Sequence, residues 1–496
     1  MKEYLSDIKE HFKGRWSILA LLMPGLLCLI YYTSQGNLSF AAIIGILPLC
    51  LILVATLIYR PVILFIILFC FNYTIMGAIR YFHYPIPISV TMDALLLFLL
   101  FSLFLQIFKK ENKLKKEVTP FLLLYSIWII FCLIQLFNNT CGIGYQYAAW
   151  FQEIRPLAFH SFFIILIFSL IIRKQKDIHY FLYLWGAFII LASIKGYWQR
   201  NHGFDPNEWA WLLSGGARTH LISTGVRYFS FFTDAANYGS NMAFSLVTFA
   251  ICCLYEDNKK RKVIWAIVAI ASGYSMSISG TRSAVFVAIA GFMLFTLISK
   301  NLKLFLFTCI FLTCSVGILK YTTIGDSNRV IRRMRTAFDP QDASLQVRLN
   351  NQKAIKAYMK EAPWGIGIGV GPEEIPTNNK YWIVSITPPD STLVYIWMRT
   401  GIVGIILFLL VLVTSVIMQC YIILFKIKDK RLRGILTAFT CGTACMIVAA
   451  YGNNIYHQYP NNLLIFGLQT IVFMGPYLDK QIIQEKERAS IEQEIS

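Results

Sequence analysis

Charge is the scarcest commodity in this sequence. Only 14% of its 496 residues are Asp, Glu, Lys or Arg, whereas 57% are hydrophobic, and the mean hydropathy is +0.58. A soluble protein of this length carries about a quarter charged residues, so a soluble globular chain is excluded. The weak alternating pattern of an outer-membrane barrel is missing as well. Cysteine is present but badly placed for cross-linking. Cys28, Cys50, Cys70, Cys132, Cys252, Cys253, Cys309, Cys314, Cys420, Cys441 and Cys445 fall in apolar runs, and only Cys141 lies in an expected loop. Neither a disulfide framework nor metal-ligand spacing of His and Cys is found. No Asp-x-Asp stands in an outside loop near a span, which argues against metal-dependent glycosyl transfer. The glycine run Gly365 to Gly371 is followed by no Lys-Ser/Thr and preceded by no strand, so it is not a P-loop. It reads instead as backbone that passes close to a helix or a substrate. No metal, no cofactor and no nucleic-acid partner is expected.

What is present is a succession of apolar runs, each near the roughly 20 residues that cross a bilayer. They read as about fourteen spans: 16–32, 40–59, 62–78, 92–108, 119–137, 159–172, 178–197, 240–255, 263–279, 283–299, 303–320, 402–425, 434–451 and 461–477. The first follows a basic start without a small-residue cleavage site and reads as a retained helix. The predicted fold is therefore an all-α polytopic membrane protein, a single integral membrane domain over 1–496.

Lys and Arg recur in 1–15, at Arg60, and in 109–116, 173–176, 259–262, 300–303, 426–433 and the tail, whereas 33–39 and 452–460 carry none. Positive charge marks the cytoplasmic side, which predicts an N-in/C-in topology. The loops 138–158 and 199–239 and the large loop 320–390 then lie outside the cytoplasm. The large loop opens with Arg329, Arg332, Arg333 and Arg335 close to a span. Basic charge on that side either snorkels to lipid phosphates or forms a surface for an anionic substrate. Further on, Lys353, Lys356 and Lys360 share one helical face beside Ile355, Tyr358 and Met359, an amphipathic helix expected along the membrane surface.

Three further arginines stand at outer boundaries of spans: Arg155 in Gln-Glu-Ile-Arg-Pro, Arg227 in Thr-Gly-Val-Arg-Tyr-Phe-Ser, and Arg282 in Ser-Gly-Thr-Arg-Ser. Ionisable groups at such depth face a cavity or a partner, so each is either a substrate contact, a structural ion pair or a snorkelling side chain. As substrate contacts they suit a diphosphate, because guanidinium pairs bidentately with phosphate oxygens. Fixed cations also stabilise the charge that a lipid diphosphate leaving group gains. Asp390, where the large loop re-enters the membrane, is the best placed carboxylate to take a proton from an attacking hydroxyl. Glu373, Glu374 and Asp234 are weaker candidates.

Four segments occur in a recognisable order: Arg227-x-x-Ser-Phe-Phe-x-Asp-x-x-Asn-Tyr-Gly, Ser-Gly-Thr-Arg282-Ser, Glu361-Ala-Pro-Trp-Gly-Ile-Gly-Ile-Gly, and Asp390-Ser-Thr-Leu-x-Tyr-Ile-Trp-x-x-x-Gly401-Ile-Val-Gly404. Over residues 220–410 the chain thereby resembles the O-antigen ligase-related family of O-antigen ligases, O-antigen or exopolysaccharide polymerases, and some protein O-oligosaccharyltransferases. The resemblance implies a GT-C-like glycosyltransferase in the bacterial inner membrane, its active site facing the periplasm. Its donor would be an undecaprenyl-diphosphate-linked oligosaccharide and its acceptor a glycan or lipid, with neither metal nor nucleotide sugar. Arg227 and Arg282 match the arginines thought to engage the diphosphate. Ligases carry a histidine where this chain has Asp390, and about fourteen spans exceed the usual number. A polymerase is accordingly preferred to a ligase. The reading from another class is a lipid-linked oligosaccharide flippase, against which stand the large outer loop and the lack of a repeat.

Overall fold

A computed structural model describes residues 57–82, 88–108, 113–222, 225–299, 302–325, 327, 329–336, 339, 341 and 343–495. The expected spans 16–32 and 40–56 and the segments 1–15 and 33–39 lie outside the described residues. The chain divides into two compact units, Met1–Phe65 and Ile66–Ser496, and the second contains the site.

Helices dominate. Every apolar run from residue 62 onward coincides with one: α1 (Pro61–Ala78), α2 (Ile88–Phe108), α3 (Thr119–Ile134), α4 (Tyr147–Ile171), α5 (Gln175–His202), α6 (Ala235–Tyr255), α7 (Lys259–Ile278), α8 (Arg282–Ile298) and α9 (Leu302–Tyr321). After the large loop come α13 (Thr392–Phe425), α14 (Lys430–Gly452), α15 (Asn461–Phe473) and α16 (Gly475–Ile495). The loop itself holds α10 (Arg329–Arg335), α11 (Ala343–Lys360) and α12 (Trp382–Ile386). Among the described residues, eight helices are long and apolar enough to cross a membrane, and α8 and α15 are shorter apolar ones. The chain is an all-α polytopic membrane protein; its sheet among the described residues is one antiparallel ladder, β1 (Leu221–Ile222) with β2 (Gly225–Val226).

Local chemistry sets the helix starts. Asp234 caps α6 by accepting from Ala236 N at 2.7 Å and Asn237 N at 2.9 Å. Ser391 caps α13 through Val394 N, and Asp429 caps α14 through Leu432 N. Each satisfies an amide that the helix leaves unpaired. Helix α4 begins earlier than its apolar run, at Tyr147, and passes through a π-turn over Arg155–Phe159. Pro156 lacks an amide N–H and so cannot continue a regular ladder.

The core of the bundle is α6 packed on α7, α8 and α14. Inside it, polar side chains satisfy one another. Asn241 Nδ2 donates to Asn461 Oδ1 at 2.8 Å, and Asn461 Nδ2 to Asn237 Oδ1 at 2.7 Å. In an apolar environment each such amide would otherwise stay unpaired at several kcal/mol.

The loops expected outside meet at one end of the bundle. Asn379 Nδ2 donates to Cys141 O, and Arg282 on α8 reaches Thr336 in the large loop. The basic segments expected inside also converge, as Arg261 and Arg431 both pair with Glu256. Within the large loop, Ile355, Met359, Ala362, Ile366, Val370 and Val384 form one buried cluster with Met398 of α13. The side of α11 that carries Ile355 and Met359 is thus occupied by the protein's own chain, and Lys353, Lys356 and Lys360 are exposed. Nearer its start, Leu345, Val347 and Leu349 are exposed as well.

The glycine run passes close to two helices. Helix α13 is interrupted at Gly401, which has φ 67°. The interruption frees backbone groups that residues 363–367 satisfy: Ile366 N donates to Met398 O, Gly367 N to Arg399 O, and Val403 N to Pro363 O, at 3.0 to 3.2 Å. At Gly369 (φ 80°) a Cβ would lie 2.2 Å from Ala149 O on α4, a backbone clash with no side chain to yield. Gly369→Ala should therefore lower the melting temperature of the purified protein by several degrees. Gly317→Ala on α9, where a Cβ meets nothing within 4 Å, should leave it unchanged or raise it slightly. A scan of thermal unfolding in detergent reads both.

Candidate functional site

Between α5 and α6 the chain folds back on itself around one half-buried cation. Arg80, just beyond α1, stacks between Trp211 and Phe229 at 4.3 and 4.5 Å. It donates to the carbonyls of Ser230, Phe232 and Thr233 at 3.3, 2.5 and 2.9 Å. Burial pulls its guanidinium down to about 10, so it stays charged at neutral pH. Ser230 has φ 51°, a region that residues other than glycine seldom occupy. Gln199 Oε1 holds it by accepting from its amide at 2.8 Å. Within the compact Arg-x-x-Ser-Phe-Phe segment, the Ser230 and Phe232 carbonyls thus face Arg80, whereas its first residue, Arg227, has other partners.

Arg227 Nη1 donates to Thr219 O at 3.0 Å, and Nη2 donates to Thr281 Oγ1 at 3.1 Å. Its buried Nε has no hydrogen-bond partner among the described residues. Burial depresses the guanidinium, Asp234 supports it, and the charges of Arg282 and Arg348 depress it further. Arg282, the first residue of α8, donates through Nη1 to Thr336 O at 3.1 Å and Oγ1 at 2.9 Å. Arg333 Nε donates to Gly280 O. Three of the expected arginines, from three separate segments, thus meet at the Gly280–Thr281 turn. Beside that turn lies a cavity of about 170 Å³ lined by Arg200, Arg282 and Arg333 and by the apolar side chains of Ile278 and Val285.

Arg155 pairs with Asp93, whose other oxygen contacts His160, in a separate cluster between α2 and α4. Arg335 Nη2 donates to Ile324 O at 2.5 Å, and Arg332 is exposed. Arg329 begins α10. Asp390 Oδ2 accepts from Asn351 Nδ2 at 2.8 Å. Asp234 and Glu374 are taken up by backbone amides, the former as the α6 cap and the latter through Gly371 N at 2.8 Å. Glu373 is exposed.

Sequence reasoning passed over Arg200, Arg348, Asn351 and Asn453. Asn453 Nδ2 donates to Ser283 Oγ at 2.6 Å, its Oδ1 accepts from Arg348 Nη2 at 3.5 Å, and its carbonyl accepts from Thr392 N at 3.2 Å. Those bonds connect the neighbour of Arg282 to the start of α13, two residues after Asp390. Arg348 and Asn351 stand one turn apart, a signal hidden by the more conspicuous lysines of α11.

Residues 242–409 match the family model described as O-antigen ligase. Over this segment, which is less than half of the chain, the protein is similar to that family. The match includes Arg282, the whole large loop and Asp390, and it begins shortly after Arg227. No curated protein matches the chain. The matched segment thus lies within a polytopic membrane protein.

His220 supports this arrangement and is titratable. Its Nε2 accepts from Ala235 N at 3.1 Å, while Nδ1 faces Gly216 O at 2.9 Å, which fits only a neutral ring protonated at Nδ1. Burial lowers its affinity for a proton, the Gly216 bond raises it, Arg227 lowers it, Asp234 raises it and Arg80 lowers it; the net direction is down. The unfolded chain therefore binds the proton more readily. The stability contributed by neutral His220 is complete above about pH 6.5 and is lost as the pH falls below that value. Melting temperatures of wild type and His220→Asn should accordingly converge between pH 7 and pH 5; a constant gap would mean that protonation of His220 is not involved.

Proposed function

We propose that this protein transfers or polymerises oligosaccharide carried on undecaprenyl diphosphate, on the periplasmic face of the bacterial inner membrane. The observation that carries the reading is the convergence of Arg227, Arg282 and Arg333 on one turn beside a cavity. Cations packed this closely depress one another, as Arg282 and Arg348 do Arg227. A diphosphate would relieve that repulsion, so the site favours a multiply charged anion. The apolar wall from Ile278 and Val285 suits the first carbons of a prenyl chain.

In the proposed reaction the acceptor hydroxyl attacks the anomeric carbon. Its proton passes to the Asp390 carboxylate, the bond from carbon to diphosphate oxygen breaks, and the arginines take up the charge on the departing lipid diphosphate. Arginine supplies the charge stabilisation that a divalent ion gives elsewhere, so the reaction is proposed to be metal-independent. About fourteen spans, a GT-C-like arrangement and an N-in/C-in topology belong to the same reading. Polymerase is preferred to ligase, because Asp390 stands where ligases have histidine.

Arg227→Ala and Arg282→Ala should each reduce transfer by about 10²- to 10³-fold while the protein still inserts into membranes. Asp390→Asn, which keeps shape and removes charge, should abolish turnover, and EDTA should have no effect. Wild-type activity in any of these variants would remove that residue from the reading. A gel of surface and carrier-linked glycans from a deletion strain separates the roles. Single repeat units at the surface with the ladder lost mark a polymerase, and long chains stranded on the carrier mark a ligase. Glycan trapped on the cytoplasmic leaflet would instead identify a flippase.

A further inference from the structure

One helix of the large loop touches both halves of the proposed reaction. Helix α11 presents Arg348, Asn351, Ile355 and Met359 at spacings of three, four and four residues, so these side chains lie in one stripe. The last two are buried, at 0% and 2% exposure, in the loop's apolar cluster. That anchoring fixes the rotation of the helix and thereby aims the polar half of the stripe. Asn351 donates to Asp390 Oδ2 at 2.8 Å, and Arg348 donates to Asn453 Oδ1 at 3.5 Å. Asn453 in turn holds Ser283, the residue after Arg282.

We infer that α11 couples donor to acceptor: Arg348 is a further cation for the carrier diphosphate, and Asn351 is the positioning residue that orients Asp390 towards the acceptor hydroxyl. The inference rests on the function proposed above. A carboxylate that takes a proton in the transition state needs one oxygen held and the other presented to the hydroxyl. The Asn351 amide occupies Oδ2, and among the described residues Oδ1 accepts no hydrogen bond from the protein. Arg348 lies near enough for its charge to bear on Arg227, which places it within the same electrostatic field as the Gly280–Thr281 turn. Because one turn of one helix separates the two side chains, closing on the diphosphate through Arg348 would also set the angle of Asp390.

The test uses the full-length protein, lipid-linked glycan extracted from the deletion strain as donor, and undecaprenyl diphosphate as the binding probe. Asn351→Ala should lower kcat about tenfold with donor KM unchanged. Asn351→Asp, isosteric but repelling Asp390, should lower it further, and Asn351→Gln, which retains the amide, should recover part of the loss. Arg348→Ala should weaken binding of undecaprenyl diphosphate by about tenfold, the loss expected for one charge-assisted hydrogen bond. Size-exclusion profiles identify any variant that fails to fold. Asn351→Asp at wild-type rate, or Arg348→Ala at wild-type affinity, would overturn the inference. Arg227→Ala and Asp390→Asn run in parallel. If they lose activity while the α11 variants do not, the coupling alone is wrong; if they too are unaffected, the proposed function falls with it.

Discussion

The arrangement at the loop end of the bundle depends on the satisfaction of one short polar segment, Asn453 to Pro460, between α14 and α15. Asn453 alone binds Ser283 at the start of α8, Thr392 at the start of α13 and Arg348 on α11. Further along, Gln458 and Tyr459 accept from Asn237 on α6. Four elements far apart in sequence are thus held by one uncharged connection. Backbone and amide groups at this depth have little water to turn to, and those of Asn453, Gln458 and Tyr459 named above bond to protein. The same requirement brings Arg282 and the loop arginines towards a common turn.

A second constraint locks two of the recognised sequence segments together. Helix α13 breaks at Gly401, and the Pro-Trp-Gly-Ile-Gly stretch donates to the carbonyls of Met398 and Arg399 and accepts from Val403. Gln135 and Asn138, at the end of α3, donate to the carbonyl of Trp364. At Gly365 and Gly369 backbone meets backbone with no room for a Cβ, which is a packing role. Asp390 is held by Asn351 of α11. The geometry separates two kinds of arginine that look alike in sequence. Arg80 is consumed by carbonyls and aromatic faces, and Arg155 by Asp93. Arg227 donates to Thr219 and Thr281, and Arg282 to Thr336, beside the Gly280–Thr281 turn.

The apolar runs, the crowded arginines at span boundaries and the ordered segments were legible in the linear sequence. Hydrophobic length and charge placement are local properties, and a bilayer reads them almost one segment at a time. Partner choice was not legible. Nothing within a few residues of Arg155 announces Asp93, and nothing near Asp390 announces Asn351, because both pairings are made across the fold. The apolar face of α11 illustrates the same limit: its periodicity is plain, but periodicity does not say whether lipid or protein will cover it.

What the sequence by itself determined is the class of molecule and the inventory of its chemistry: a polytopic helical membrane protein, rich in arginine at one end and carrying an O-antigen ligase-type segment order. Those follow from composition and spacing, which no fold can alter. Tertiary structure alone decided which arginines share a turn, which acid is already spent on capping a helix, and which side of α11 meets Asp390. Each of those depends on contacts between residues tens to hundreds of positions apart, and contact at such range exists only once the helices have packed.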